Sequence, residues 1–391
     1  MTSSRRSKIL SGGFFALLLI LVGVGYRVGL AAQEAILESR SGSISQFSLD
    51  PTAPGFRAFT EPTPTALVVH TAVSPGLGAE LVGVTLLTSA DGEAGGTVVT
   101  IPRTFVAEEG SNRPLSELFV TSGLDALTAE LGGALGIGFA DVVVLDASSW
   151  TTLMQADLPL DLTLRDDLVL ASPTVGQDRI LVASGTRSFE LLDVARIAAH
   201  RNQDEPGLAV ALRHQSVWKA WISRTAGSTE RPALFQLESG FVDLISSLAS
   251  GEVSYRVVPF ATVADGSPEA TTYVGQGDRI ADLISQIVPF PQSAGAGDRA
   301  EVLLLDATLG AADASPVIES IVRAGGRVTI LGNTEANTDA VSEVQVHDPS
   351  AVAVGESIVD LLGLGPVRMV PLDSGTASIT VVVGADQLAA Q

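Results

Sequence analysis

The sequence predicts an α/β fold, carried behind a single N-terminal transmembrane helix and followed by a small C-terminal domain of βαβ type. Short β-branched runs alternate with stretches of helical apolar spacing, the pattern of strands covered by helices. The same alternation resumes on a smaller scale after a Gly/Ser/Pro-rich stretch around 261–298. The resulting division is a head at 1–8, an anchor at 9–32, a connector at 33–64, an α/β domain at 65–260, a linker at 261–298 and a C-terminal domain at 299–387.

The anchor is read first, because it fixes the compartment. Ile9 to Tyr26 is an uncharged run directly behind Arg5, Arg6 and Lys8. About 20 apolar residues span a bilayer core, and continuation to Ala32 reaches that length with Arg27 snorkelling at the interface. Cationic residues stay on the cytoplasmic side. The expectation is therefore a single-pass protein of the cell membrane, with a cytoplasmic N-terminus and an extracytoplasmic bulk. A cleaved signal peptide is the alternative, since Gly29-Leu30-Ala31 loosely fits a cleavage site, although signal h-regions usually run about 7–15 residues. The chain has no cysteine, which excludes a lipoprotein, disulfides, thiolate metal sites and cysteine nucleophiles. Export without disulfides suggests a bacterium.

Apolar residues make up 46% of the chain and charged ones 17%, which argues for packed domains over disorder. A net charge of −21 repels nucleic acid and anionic headgroups at long range, so no nucleic-acid partner is expected.

The first strands are expected at Ala66–Val69, Leu81–Leu87, Thr97–Ile101 and Asp141–Leu145, each bounded by Gly or Pro. Between the last two, Leu118, Leu124, Leu127, Leu131 and Leu135 recur at helical spacing. Ser122 and Gly123 suit a helix start, and Gly132-Gly133 or Gly136 a stop. Helical patterns follow at 189–199, 207–223 and 240–248, then a strand at 253–259. A short amphipathic segment, Ile280–Ile287, lies within the linker. The C-terminal domain reads strand 301–305, helix 314–324, strand 327–331, helix 350–362 and strand 378–383. The Pro-rich end of the connector (Pro51, Pro54, Pro62, Pro64) predicts no regular structure.

Gly132-Gly133-x-x-Gly136-x-Gly138 precedes a strand, whereas a dinucleotide loop follows one, so it reads as a helix cap and turn. Four histidines (His70, His200, His214, His347) show no metal-pair spacing; His200 and His214 could meet near Asp204. Trp218 and Trp221, three apart on a helix, are most simply core, with an apolar groove for lipid as the other reading. Arg103 follows the strand ending Ile101-Pro102, where α/β folds place ligands, and a guanidinium binds phosphate bidentately. Arg213 lies in a helix.

In order and spacing, several segments resemble the core of the LytR–CpsA–Psr (LCP) family. They are Ile101-Pro102-Arg103, a helix, Leu135-Gly136-Ile137, the strand Val142–Leu145, Asp146 and Trp150-Thr-Thr-Leu153. Arg201 and Arg213-His214-Gln215-Ser-Val-Trp218 are similar to its late Arg-x-Arg and Arg-Gln-Gln helix. Residues 299–387 are similar to the LytR C-terminal domain that often follows in actinobacteria. The resemblance covers roughly 65–260 and 299–387. It implies glycopolymer carried on polyprenyl pyrophosphate and transferred to peptidoglycan, with Mg²⁺ held by Asp and the pyrophosphate, arginines on the phosphates and a hydrophobic tunnel for the lipid.

The sequence departs from that pattern at its acids. The family's Asp-Ser-Arg falls on Ala72-Val73-Ser74, its Ser-Asp-Thr near Leu81-Val82-Gly83, and its Pro-Arg-Asp on Pro102-Arg103-Thr104. The arginine three before Arg-Gln-Gln falls on Val210. The expectation is a degenerate member of the cell envelope, a pseudoenzyme without catalytic residues, metal or cofactor. Arg103, Arg213 and Arg201 are its phosphate candidates, and Trp218 and Trp221 its lipid-groove candidates. Its partners would be a polyprenyl-linked glycan or peptidoglycan, or active LCP paralogues. The alternative is a divergent transferase that uses Mg²⁺ and recruits Asp91, Glu93 or Glu108-Glu109.

Overall fold

The computed structural model describes residues 50–388, apart from 52, 75–77, 91–93, 108–112, 155–158, 171, 173–177, 227–238, 264–270, 296–298, 309–312, 336–340 and 372–376. The charge-free run Ile9–Tyr26 and its continuation to Ala32 lie outside the described residues. Among the described residues no helix is long and apolar enough to cross a membrane.

The architecture is mixed α/β. Arg57–Phe59 (β1) comes first, then the long strands Thr65–Ser74 (β2), Gly78–Ser89 (β3) and Gly95–Pro102 (β4) and the two-residue Phe105–Val106 (β5). Helix Leu115–Leu135 (α1), strand Asp141–Leu145 (β6) and helix Ala147–Met154 (α2) follow. Leu160–Leu164 (β7), Leu168–Leu170 (β8), Arg179–Val182 (β9) and Gly185–Phe189 (β10) form nested hairpins, β8 on β9 inside β7 on β10. Helices Leu191–Ala199 (α3), Gly207–Ala226 (α4) and Ser239–Ser250 (α5) precede Glu252–Val257 (β11).

β2, β3 and β4 form an antiparallel meander, extended by β6 and β11 in parallel, in the order β11-β4-β3-β2-β6. Alternate residues of a strand point to opposite faces, and β2 uses both. Leu67 and Val69 pack toward α1, while Ala66 and Val68 pack toward α4 and α5. Burial on two faces explains why these strands read as continuous apolar runs.

Within α1 the backbone breaks at Gly123 (φ 83°), at the residue where the sequence suggests a helix start. Gly136 ends the helix at φ 64°, its N–H reaching the carbonyls of Gly132 and Gly133. This left-handed cap favours glycine, which agrees with the cap-and-turn reading of the glycine run.

The stretch 261–298 carries more structure than its composition suggests. Phe260–Val263 (β12) pairs with Thr272–Gly275 (β13), β13 pairs with β5, and Gly277–Ile287 (α6) follows. Tyr273, Ile280, Ile284 and Val288 are buried.

The C-terminal lobe consists of Ala300–Asp306 (β14), Ser315–Arg323 (α7), Gly326–Asn333 (β15), Glu343–Val346 (β16), Val352–Leu362 (α8), Arg368–Met369 (β17), Ile379–Val383 (β18) and Ala385–Leu388 (α9). Its sheet runs β1-β15-β14-β18-β16-β17. The edge strand β1 thus comes from the Pro-rich connector, Phe59 opposite Ile330. Prolines 54 and 62 stand outside the paired residues, so none of them removes a ladder donor.

The two lobes share one apolar cluster, in which α1 and α6 meet Val302, Val317 and Ile321. Asp282 on α6 pairs with Arg323 on α7 at 2.8 Å. Arg299 donates to Gly136 O across the junction, and to Val322 O (2.7 Å) and Gly326 O (2.9 Å) within the second lobe.

Candidate functional site

The site is built at the C-terminal end of β4 and around the first turns of α4. Pro102 closes β4 opposite Gly83. The carbonyl of Arg103 accepts from Ser116 N–H (2.9 Å) in the first turn of α1, and Arg103 and Thr104 form the turn between β4 and β5. The Thr104 hydroxyl donates to Thr271 O (2.8 Å), and its carbonyl accepts from Tyr273 N–H. These contacts fix the turn against β13. Gly207, the first residue of α4, lies beside it: a side chain there would meet Thr104 Oγ1 at 2.9 Å and Arg103 Cγ at 3.4 Å.

Arg213 stands on α4 and is consumed internally. Its guanidinium forms an ion pair with Glu205, whose side chain is 9% exposed against 8% for Arg213. It also donates from Nε to Ile197 O (3.1 Å) and from Nη2 to His200 O. Arg201 caps its own loop, donating to Asn202 O (3.1 Å) and Gln203 O (2.9 Å). The structure therefore places the three arginines around the entrance to α4, each of them with partners of its own; Arg213 and Arg201 point their donors at protein oxygens. A cleft of about 260 Å³ opens beside Arg213, with Arg165, Asp166, Glu205 and Gln215 in its walls.

Trp218 and Trp221 are fully buried. Their rings sit 5.5 Å apart, and Trp218 lies 5.1 Å from Trp150. In this structure they line no open groove: sealed among α2, α4 and β2, they are core.

The same cluster contains the feature that sequence reasoning missed. His70, on β2, and His214, on α4, are both fully buried, their ring centroids 4.1 Å apart. Trp150 stacks on His70 at 5.5 Å with 6° between the planes. His214 donates from Nε2 to Ala198 O (2.7 Å), and His70 Nε2 bonds Thr85 Oγ1 (2.9 Å). Both Nδ1 atoms, and the indole nitrogens of Trp150 and Trp218, have no hydrogen-bond partner. His214 fits because position 83 is glycine: a Cβ there would lie 2.8 Å from its Nδ1. Burial pushes the His214 imidazole down to about 3, against its bond to Ala198 O and helped by the charge on Arg213. Burial, then the neighbouring His214, holds His70 well below the usual imidazole range. Both are neutral at pH 7. His200 instead reaches Val169 O (3.0 Å) and does not join His214 near Asp204.

The donor set at the family's acid positions does not fit Mg²⁺, which takes carboxylate and phosphate oxygens. Ala72 and Val82 offer only methyl groups, Val82 is 2% exposed, and the Thr104 hydroxyl is spent on Thr271 O. Among the described residues, no three His, Asp or Glu are arranged to hold a metal ion. Asp91, Glu93, Glu108 and Glu109 lie outside the described residues.

No family model matches the chain, and no curated protein matches it. Its structural neighbours are LCP-family proteins. B. subtilis TagV is 11% identical with a TM-score of 0.46, covering 58% of this chain and 96% of that one. The LytR-Csp2A-Psr enzyme from Actinomyces oris is 14% identical with a TM-score of 0.42, covering 59% and 93%. YwtF (TagT) with bound octaprenyl pyrophosphate lipid is 14% identical with a TM-score of 0.41, covering 63% and 92%. Likeness at this level carries no argument about this chain's chemistry.

Proposed function

We propose that this chain is an LCP-like protein of the cell envelope, held at the outer face of the membrane by its N-terminal segment, that does not transfer glycopolymer. It would act as a scaffold for active LCP paralogues, or as a binder of polyprenyl-linked glycan through Arg103. The observation that carries the reading is the buried Arg213–Glu205 pair. Phosphoryl transfer needs cationic groups free to meet developing charge, and here a carboxylate of the same chain already occupies that arginine. The family's acid positions are Ala72, Val82 and Thr104, so those positions supply no carboxylate to a metal.

The test incubates purified protein with a polyprenyl pyrophosphate analogue, a glycan acceptor and Mg²⁺. The expected result is no phosphate release and no Mg²⁺-dependent change in binding. Where the analogue binds, Arg103→Ala weakens it by about tenfold or more, the loss of a charge-assisted bond, and Arg213→Gln acts through stability instead. Mg²⁺-dependent turnover that disappears in Asp91→Asn or Glu93→Gln would overturn the proposal in favour of the divergent transferase.

A further inference from the structure

At the end of the sheet opposite Arg103, where β4 and β11 begin, a cleft of about 590 Å³ opens between the two lobes. The first lobe supplies Ser89, Thr97, Glu252 and Ser254. The segment after α6 supplies Pro289 and Phe290, and the start of α7 supplies Ser315, Ile318 and Glu319. The volume falls within the roughly 300–1,000 Å³ of small-ligand sites.

The lining is amphipathic in a specific way. An apolar strip (Ile287, Pro289, Phe290, Ile318) runs beside hydroxyls, the Gln286 amide and two exposed carboxylates, Glu252 and Glu319. Among the described residues no lysine or arginine lines the cleft; Arg256 donates to Ser254 Oγ (3.0 Å) from outside the lining. Carboxylates and amides accept hydrogen bonds from ligand hydroxyls, hydroxyl side chains both donate and accept, and the apolar strip suits a C–H face. Phosphate or carboxylate on the ligand would face the Glu252 and Glu319 carboxylates at close range. We infer that this cleft binds a short saccharide bearing hydroxyl and amide groups and no acidic group, bridging the two lobes. The inference does not depend on the fate of the Arg103 region.

The probes are a β-1,4-linked N-acetylglucosamine trimer and an oligogalacturonate of equal length, followed by calorimetry and thermal shift. The neutral trimer is expected to bind and raise the melting temperature, and the acidic one is not. Ala90→Trp, which fills the cleft without removing a polar group, is expected to lower affinity for the trimer at least tenfold. Glu252→Gln with Glu319→Gln is expected to weaken it about fivefold, a hydrogen bond's worth, with the ligand-free melting temperature unchanged. Failure of the trimer to bind, equal binding of the acidic probe, or full binding by folded Ala90→Trp and by the double variant would each overturn the inference.

Discussion

At the scale of the residue, Arg213 and the two buried histidines make opposite demands on charge. Arg213→Gln removes the cationic partner of Glu205 in a site that is almost closed to water, and stranding one member of a buried pair typically costs about 3–5 kcal/mol. Urea unfolding is expected to show that loss, and Arg213→Met with Glu205→Leu to recover most of it. The histidines are held neutral, with folded pKa values below the unfolded value of about 6.5. Between those values the unfolded chain binds more protons than the folded one. Their contribution is therefore fully present above about pH 6.5 and is lost as pH falls toward the folded pKa, about 3 for His214. Each histidine adds a slope of up to about 1.4 kcal/mol per pH unit. Unfolding measured from pH 7 to pH 4 should show this acid limb, and His214→Gln should flatten it; an unchanged slope would mean the pair is not its source.

At the scale of the element, the helices and long strands were legible because their burial is one-sided or complete. The reading placed β6 at 141–145, where it occurs, and found the leucine spacing of α1, but it set the helix start at Ser122-Gly123, whereas the helix begins at Leu115 and only breaks at Gly123. β7, β10, β12 and β13 escaped because Ser, Thr, Asp or Gly interrupt them, as in β10 with four exposed residues of five, and β8 and β9 because they run only three and four residues. The histidine pair escaped for another reason. His70 sits in an apolar strand and His214 on the buried side of α4, but neither residue's own surroundings reveal that they meet between β2 and α4. Glu205 was equally hidden, eight residues before Arg213 and across Pro206. Arg299 shows what such distant contacts contribute: it satisfies carbonyls at the ends of both α1 and α7, where a cation also complements the helix dipoles. Arg299→Ala is expected to lower stability on the order of 3 kcal/mol, several bonds at roughly 1 kcal/mol net each, with Arg299→Lys intermediate in thermal melts. Equal melting of all three would remove the clamp from the account.

At the scale of the whole molecule, the sheet of the second lobe is completed by a strand from outside residues 299–387. The lobe borrows β1 as an edge strand and packs α7 against α6. Expressed alone, residues 299–387 are expected to melt lower than the same lobe within the full chain, and to gain stability when a peptide covering 53–64 is added in trans. Indifference to the peptide would show that β1 contributes nothing. The position of β1 also sets an order of events. Thr60 meets Val328 across 268 residues of chain, so the first lobe is in effect an insertion inside the second. A growing polypeptide makes β1 early and must carry it unpaired until β15 emerges. The first lobe can close from local contacts long before then, whereas the second must wait for its own last strands and for the return of its first, which makes it the slow step of assembly.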